Sequence, residues 1–247
     1  MTPRFTFPEP IHAFLGRLGD VDTARARLER LASLILETSA TLNLTSDRDA
    51  ERFRVRHIED ALGAACVIET TIFRPDDATP ILDVGSGGGI PGLVWAILWP
   101  GAPVTLLEAT GKKAAFLECA ARTLELEGVR VVNERAETLA HASDHRERYG
   151  LVTARAVAPM SVLAELTLPF VRLGGWVAAI KGVEIAEELA AAEGALARLG
   201  ATGEPPQVCS YRRSDGASAS VCFVSKARPT PSVYPRRPGV PVRRPLK

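Results

Sequence analysis

The chain has 247 residues and a formal net charge of +1, with 46% hydrophobic and 24% charged residues. That suits one large soluble α/β unit and excludes an intrinsically disordered or collagenous chain. No run is long and apolar enough for a signal peptide or a membrane span, so we read a soluble, cytoplasmic protein. Cys66, Cys119, Cys209 and Cys222 form no C-x-x-C pair and sit among apolar residues. They read as free buried thiols, with no disulfide framework and no metal site.

In chain order, residues up to about Pro80 read as helical. Ala24, Leu28, Leu31, Ile35 and Leu42 recur at helical spacing. Asp49 is placed to cap a second long helix, with Arg52, Arg54, Arg56 and Glu59 on its exposed side. From Thr79 to Lys226, apolar runs alternate with helical segments. Strands are predicted over Ile81–Val84, Val104–Leu107, Val129–Val132, Leu151–Ala154 and Trp176–Ile180. Helices are predicted over Pro91–Leu98, Lys112–Leu126, Met160–Val171 and Glu184–Leu199. Two further runs, Gln207–Arg212 and Ser218–Val224, flank Ser214-Asp215-Gly216 and read as an antiparallel hairpin. A parallel sheet closed by such a hairpin has the form of the seven-strand, Rossmann-like methyltransferase fold of class I. The remaining stretch to Lys247 has seven Lys and Arg, counting Lys226, no acid and six prolines. It reads as an extended basic tail. The expected units are therefore a helical extension (1–78), a core (79–226) and the tail (227–247).

The strongest motif is Asp83-Val84-Gly85-Ser86-Gly87-Gly88-Gly89-Ile90-Pro91-Gly92, between a predicted strand and a predicted helix. Glycines there let the backbone turn tightly and approach a ligand. The dinucleotide fingerprint needs glycine where Ile90 stands, and the P-loop needs a lysine that is absent. The D-x-G-x-G-x-G that remains resembles the first motif of S-adenosylmethionine-dependent methyltransferases, in which Asp83, Gly85 and Gly87 would line the cofactor. Glu108, about 20 residues on, ends the next strand, where nucleoside-binding folds place a carboxylate for ribose hydroxyls. The alternative is a tight turn and a solvated strand end.

Several further segments accompany the loop. They are Asn43-Leu44-Thr45, Arg56-His57-Ile58-Glu59-Asp60-Ala61-Leu62, Glu108 to Leu117, Arg135-Ala136-Glu137, Ala154-Arg155-Ala156-Val157-Ala158 and Tyr234 to Pro241. In this order they resemble the RsmG family, also called glucose-inhibited division protein B, over roughly Ala24 to Leu246. The chain departs from many members at Thr38-Ser39 and Ala61. The resemblance implies methylation of N7 of guanine 527 in 16S rRNA, with S-adenosyl-L-methionine as cofactor and the small ribosomal subunit or its rRNA as partner. Carried over by position, Gly85, Ile90, Ala136, Glu137 and Arg155 would contact the cofactor.

Guanine N7 carries a free lone pair, so no catalytic base is nominated and no metal is implied. An arginine among apolar neighbours needs a partner, so Arg155 is expected to find one in the site. His57, Lys181, Arg236 and Arg237 are candidate RNA contacts, each with the alternative of an ordinary structural or solvated side chain. The chain is read as a monomer that engages no membrane. Two other classes stay open: a methyltransferase acting on another RNA, a small molecule or a protein, and a non-catalytic RNA-binding assembly protein.

Overall fold

A computed structural model describes residues 9–247 except 18, 77, 183 and 184. The chain begins with α1 (Glu9–Leu15) and α2 (Val21–Thr38). One long helical stretch follows, made of α3 (Ala50–Phe53), a π-helical turn (Arg54–Glu59) and α4 (Asp60–Thr71). Next come β1 (Ile81–Val84), α5 (Gly92–Leu98), β2 (Val104–Leu107), α6 (Gly111–Thr123), β3 (Val129–Val132), α7 (Ala136–Leu139) and β4 (Tyr149–Arg155). The chain continues through α8 (Met160–Thr167), a 3-10 turn (Leu168–Phe170), β5 (Val171–Lys181), α9 (Ala186–Leu199), β6 (Gln207–Arg212), β7 (Ser218–Ser225) and α10 (Val240–Arg243). Glu184, the expected start of the helix that is α9, lies outside the described residues.

The seven strands form one sheet in the order β3-β2-β1-β4-β5-β7-β6. The pairs from β3 to β5 are parallel, whereas β7 runs antiparallel to both β5 and β6. The central strands are short apolar runs because both faces are covered: all four residues of β1 and of β2 are buried. Side chains alternate between the faces. Ile81 joins one apolar core with α1, α2, α4, α5 and α6, while Leu82 and Val84 join the other with α8 and α9. The N-terminal helices therefore share a core with the sheet. Leu28, Leu31 and Ile35 of α2 and Ala61, Leu62 and Ile68 of α4 are each at most 2% exposed.

Three expectations are corrected here. Asp49 does cap a helix, its Oδ1 accepting from Arg52 N at 2.8 Å. Arg54 and Glu59, however, are buried, not exposed. The π-helical turn swings Glu59 inward, where it accepts from the Ser214 hydroxyl at 2.7 Å and lies 3.6 Å from Arg54. The cysteines differ from one another: Cys222 is buried, Cys66 and Cys209 are half-buried and Cys119 is exposed. The stretch after Lys226 is not a loose tail. Lys226 is 1% exposed, Leu246 lies in the second core, and Val240–Arg243 forms a helical turn with Pro241 near its start, where proline is tolerated. Among the described residues, no helix is long and apolar enough to cross a membrane.

Candidate active site

The strand order reverses between β1 and β4. In open α/β sheets, ligands bind at the carboxyl ends of the strands beside such a reversal. The residues singled out in sequence gather along that edge, one strand end after another: Gly85 after β1, Glu108 after β2, Ala136 and Glu137 after β3, and Arg155 at the end of β4.

The glycine loop turns through Gly85, Gly87 and Gly89 at φ of +71°, +55° and +91°. These left-handed conformations are ones that other residues adopt at a cost. Glu108 is 7% exposed, which rules out a solvated strand end. Its two oxygens accept from Gly87 N at 2.9 Å and Thr110 N at 2.8 Å, tying the loop to the start of α6. Ile90 is buried in the first core, and Ala136 is half-buried.

Asp83 supports the loop from behind instead of presenting an oxygen to its mouth. It is 1% exposed and accepts from Thr153 Oγ1 at 2.9 Å and Gly92 N at 3.2 Å. Thr153 in turn accepts from Trp95 Nε1 at 3.1 Å. Burial pushes the Asp83 carboxyl up to about 6, partly offset by Thr153, Ser86 and Gly92. The folded protein thus keeps this proton to about pH 6, while the unfolded chain releases it near 3.8. The stability contributed by protonated Asp83 is complete below that lower value and is lost as pH rises through the upper one. Thermal melts of wild type and Asp83→Asn should therefore show wild type falling relative to the variant between about pH 4 and about pH 6. A gap that does not change with pH would remove this account.

Arg155 has the partners its apolar flanks demanded. Its Nη1 donates to Asp60 Oδ2 at 3.3 Å and its Nη2 to His57 Nδ1 at 2.7 Å. Asp60 also accepts from Tyr211 Oη at 3.1 Å and Arg213 Nη1 at 3.0 Å. His57 continues the chain, its Nε2 lying 3.0 Å from Asp47 Oδ2 and 3.4 Å from Thr45 Oγ1. Because Arg155 can only donate, Nδ1 is the acceptor and Nε2 carries the proton toward Asp47. Burial, with Arg155 adding to it, holds the imidazole below the ordinary histidine value against the pull of Asp47. The sequence names Asp47, Tyr211 and Arg213 in no role, and Asp60, the partner of the last two, lies far away along the chain. Only the resemblance marks Thr45 and Asp60, as motif members without a task.

Of the remaining candidates, Lys181, Arg236 and Glu137 are committed to partners within the fold. Lys181 is not aimed at a phosphate: its Nζ donates to Ala158 O and to Glu188 Oε2, both at 2.7 Å. Arg236 pairs with Glu165, a carboxylate that is 0% exposed and cannot be left unpaired. Arg237 is exposed. Glu137 is 3% exposed and accepts from Gly239 N at 2.9 Å and Arg135 Nη2 at 3.2 Å. Burial would raise its carboxyl, but those donors outweigh it and hold it below the ordinary value.

With this geometry set, the chain can be compared with known proteins. The family described as rRNA small subunit methyltransferase G, or GidB, matches residues 24–212. The chain is 41% identical over 219 residues to ribosomal RNA small subunit methyltransferase G of Symbiobacterium thermophilum, covering 86% of each chain. It is also 41% identical to the protein of that name from Chloroflexus aggregans, covering 90% of each. The chain belongs to this family. The family match begins within α2 and runs to the end of β6, so it takes in most of the N-terminal helices as well as six of the seven strands. Among solved structures, an O-methyltransferase from Bacillus cereus in complex with SAH superposes with a TM-score of 0.54 at 18% identity, over 80% of this chain and 91% of that one. A precorrin-6y C5,15-methyltransferase from Geobacter metallireducens gives 0.50 at 15% identity, over 69% and 88%. These likenesses speak for the fold.

The site fits S-adenosylmethionine. The loop has no lysine for a phosphate, and its backbone is bare of side chains at three turns. A Cβ built on Gly87 meets nothing nearer than Gly85 O at 3.8 Å, so a side chain there would fill the cradle.

Proposed function

We propose that this S-adenosylmethionine-dependent methyltransferase methylates N7 of guanine 527 in the 16S rRNA of the small ribosomal subunit, acting in the cytoplasm. The family membership carries the reading, and the gathering of Gly85, Glu108 and Arg155 at one edge of the sheet supports it. Segment 79–226 would hold the cofactor, with 1–78 and 227–247 packed around it. Gly85, Gly87 and Ile90 would border the methionine part, Glu108 the ribose, and the Ala136-Glu137 pair the adenine. When bound, S-adenosylmethionine supplies an electrophilic methyl group.

The chain's own residues then have a limited task. N7 has a lone pair and no proton, so the site must hold the base in line and need not deprotonate it. Arg155, held by Asp60 and His57 at the carboxyl end of β4, would contact the cofactor beside the place where the methyl group is delivered. Neutral His57 braces Arg155 and takes no proton from the substrate. A stacked guanine must first be splayed out to reach the site. Of the four residues considered for RNA contact, Arg237 is the exposed one and would meet phosphate.

The test is methyl transfer from labelled S-adenosylmethionine to small subunits lacking the modification, with the product located by primer extension after cleavage at 7-methylguanine. One stop, at guanine 527, is expected. Incorporation at another nucleotide would overturn the assigned position, and incorporation into protein alone would overturn the substrate class.

A further inference from the structure

The connection from β4 to α8, residues 156–159, is neither helix nor strand, and it starts in a strained conformation. Ala156 has φ of +55°, a left-handed backbone in a residue with a Cβ. Such strain persists only where the surroundings over-determine it. The next residue, Val157, is 36% exposed and lies over the glycine loop, its Cγ2 3.0 Å from where a Cβ on Gly85 would be. The strained turn therefore lays an apolar side chain against the loop, next in sequence to Arg155 and its partners.

Two side chains hold this connection from the far side. Lys181, at the end of β5, donates from Nζ to Ala158 O at 2.7 Å and to Glu188 Oε2 at 2.7 Å. The same Glu188 oxygen accepts from Met160 N at 3.0 Å, at the start of α8. The pair thus grips the backbone on both sides of Pro159. We propose that Lys181 and Glu188 are positioning residues for methyl transfer: they clamp the 156–160 connection and so keep Val157 against Gly85. The proposal rests on the function given above. It also explains why a lysine that the sequence offered as an RNA contact is 12% exposed and already satisfied.

If the clamp opposes the strain at Ala156, removing the strain should remove the need for the clamp. Lys181→Met is expected to lower kcat on rRNA on the order of tenfold, as small misplacements near a reacting centre do, with a smaller change in KM. Lys181→Arg, which keeps both donations, should restore much of the loss, and Glu188→Gln should show a weaker form of it. The discriminating variant adds Ala156→Gly to Lys181→Met. Glycine adopts the left-handed turn without the steric cost that Ala156 bears, so the double variant should recover toward wild type. A pair that only staples β5 to α9 would show no such recovery.

Unchanged kcat in Lys181→Met and Glu188→Gln would overturn the proposal, as would a loss that Ala156→Gly leaves in place. If Lys181→Met does not fold, the same comparison is made with Glu188→Gln. Amide hydrogen exchange over residues 157–163 reads the clamp without substrate. Exchange should quicken in Lys181→Met and slow again in the double variant. A wild type that transfers no methyl group to rRNA would overturn the functional reading instead. Exchange would then decide the clamp alone, with unchanged rates counting against it.

Discussion

Gly85→Asp is expected to weaken S-adenosylmethionine binding at least about 100-fold by calorimetry, which corresponds to about 3 kcal/mol. Three effects add. Gly85 sits at φ of +71°, where a side chain costs about 1–2 kcal/mol. A Cβ would lie 3.0 Å from Val157 Cγ2, so the connection over the loop must shift. A carboxylate would also enter the mouth of the loop, close to Glu108. Gly85→Ala shares the first two effects and should fall between wild type and the aspartate variant. Circular dichroism separates lost binding from lost folding, because Gly85 itself lies at a strand end and belongs to neither core. An unchanged cofactor affinity in folded Gly85→Asp protein would remove the loop from the binding site.

Arg236→Ala should lower stability by about 3–5 kcal/mol, the usual consequence of leaving one partner of a buried ion pair alone. For a chain of this length that is a fall of roughly 10 °C in melting temperature. The argument is geometric. Glu165 is 0% exposed, and Arg236 meets it with Nε at 2.9 Å from Oε1 and Nη2 at 2.6 Å from Oε2, while the Arg236 backbone N–H adds a third bond at 2.8 Å. Removing the guanidinium leaves a buried carboxylate with one backbone donor. Replacing both residues by methionine removes the charge as well and should recover much of the loss. Arg237→Ala, at an exposed neighbour, should melt with wild type. A melting temperature for Arg236→Ala within about 2 °C of wild type would show that the pair does not lock the C-terminal segment. Deleting everything after Lys226 would accordingly test folding before RNA binding.

Much of the sheet is legible in the sequence because each strand is a short apolar run bounded by a turn. Ile81–Val84, Val104–Leu107, Val129–Val132 and Gln207–Arg212 stand where periodicity puts them. β5 extends to Val171, five residues before its apolar run, because its early part passes through Leu173, Gly174 and Gly175, which carry no strand signal. Glycine spacing marks the loop, and strand ends mark Glu108 and Arg155. Illegible were the pairings that give those residues their state. Asp60 meets Arg155, Tyr211 and Arg213 across 95, 151 and 153 positions, and no local pattern encodes such contacts. The C-terminal segment misled for the same reason. Its cations read as available to phosphate because the acids they neutralise, Glu147 and Glu165, lie elsewhere in the chain.

The widened turn at Arg54–Glu59 acts as a phase shifter within a helix. A regular α-helix advances about 100° per residue, so one extra residue in a turn rotates everything downstream by about that angle while the axis carries on. Upstream, Arg52 turns toward Asp47, as does Arg56 within the turn; downstream, Asp60 turns toward β6 and the end of β4. A single continuous rod therefore addresses two surfaces that an unbroken α-helix of the same sequence could not face together. Its length becomes a constraint as strict as its composition, since losing one residue within the turn would leave the helix intact and point Asp60 away from Arg155.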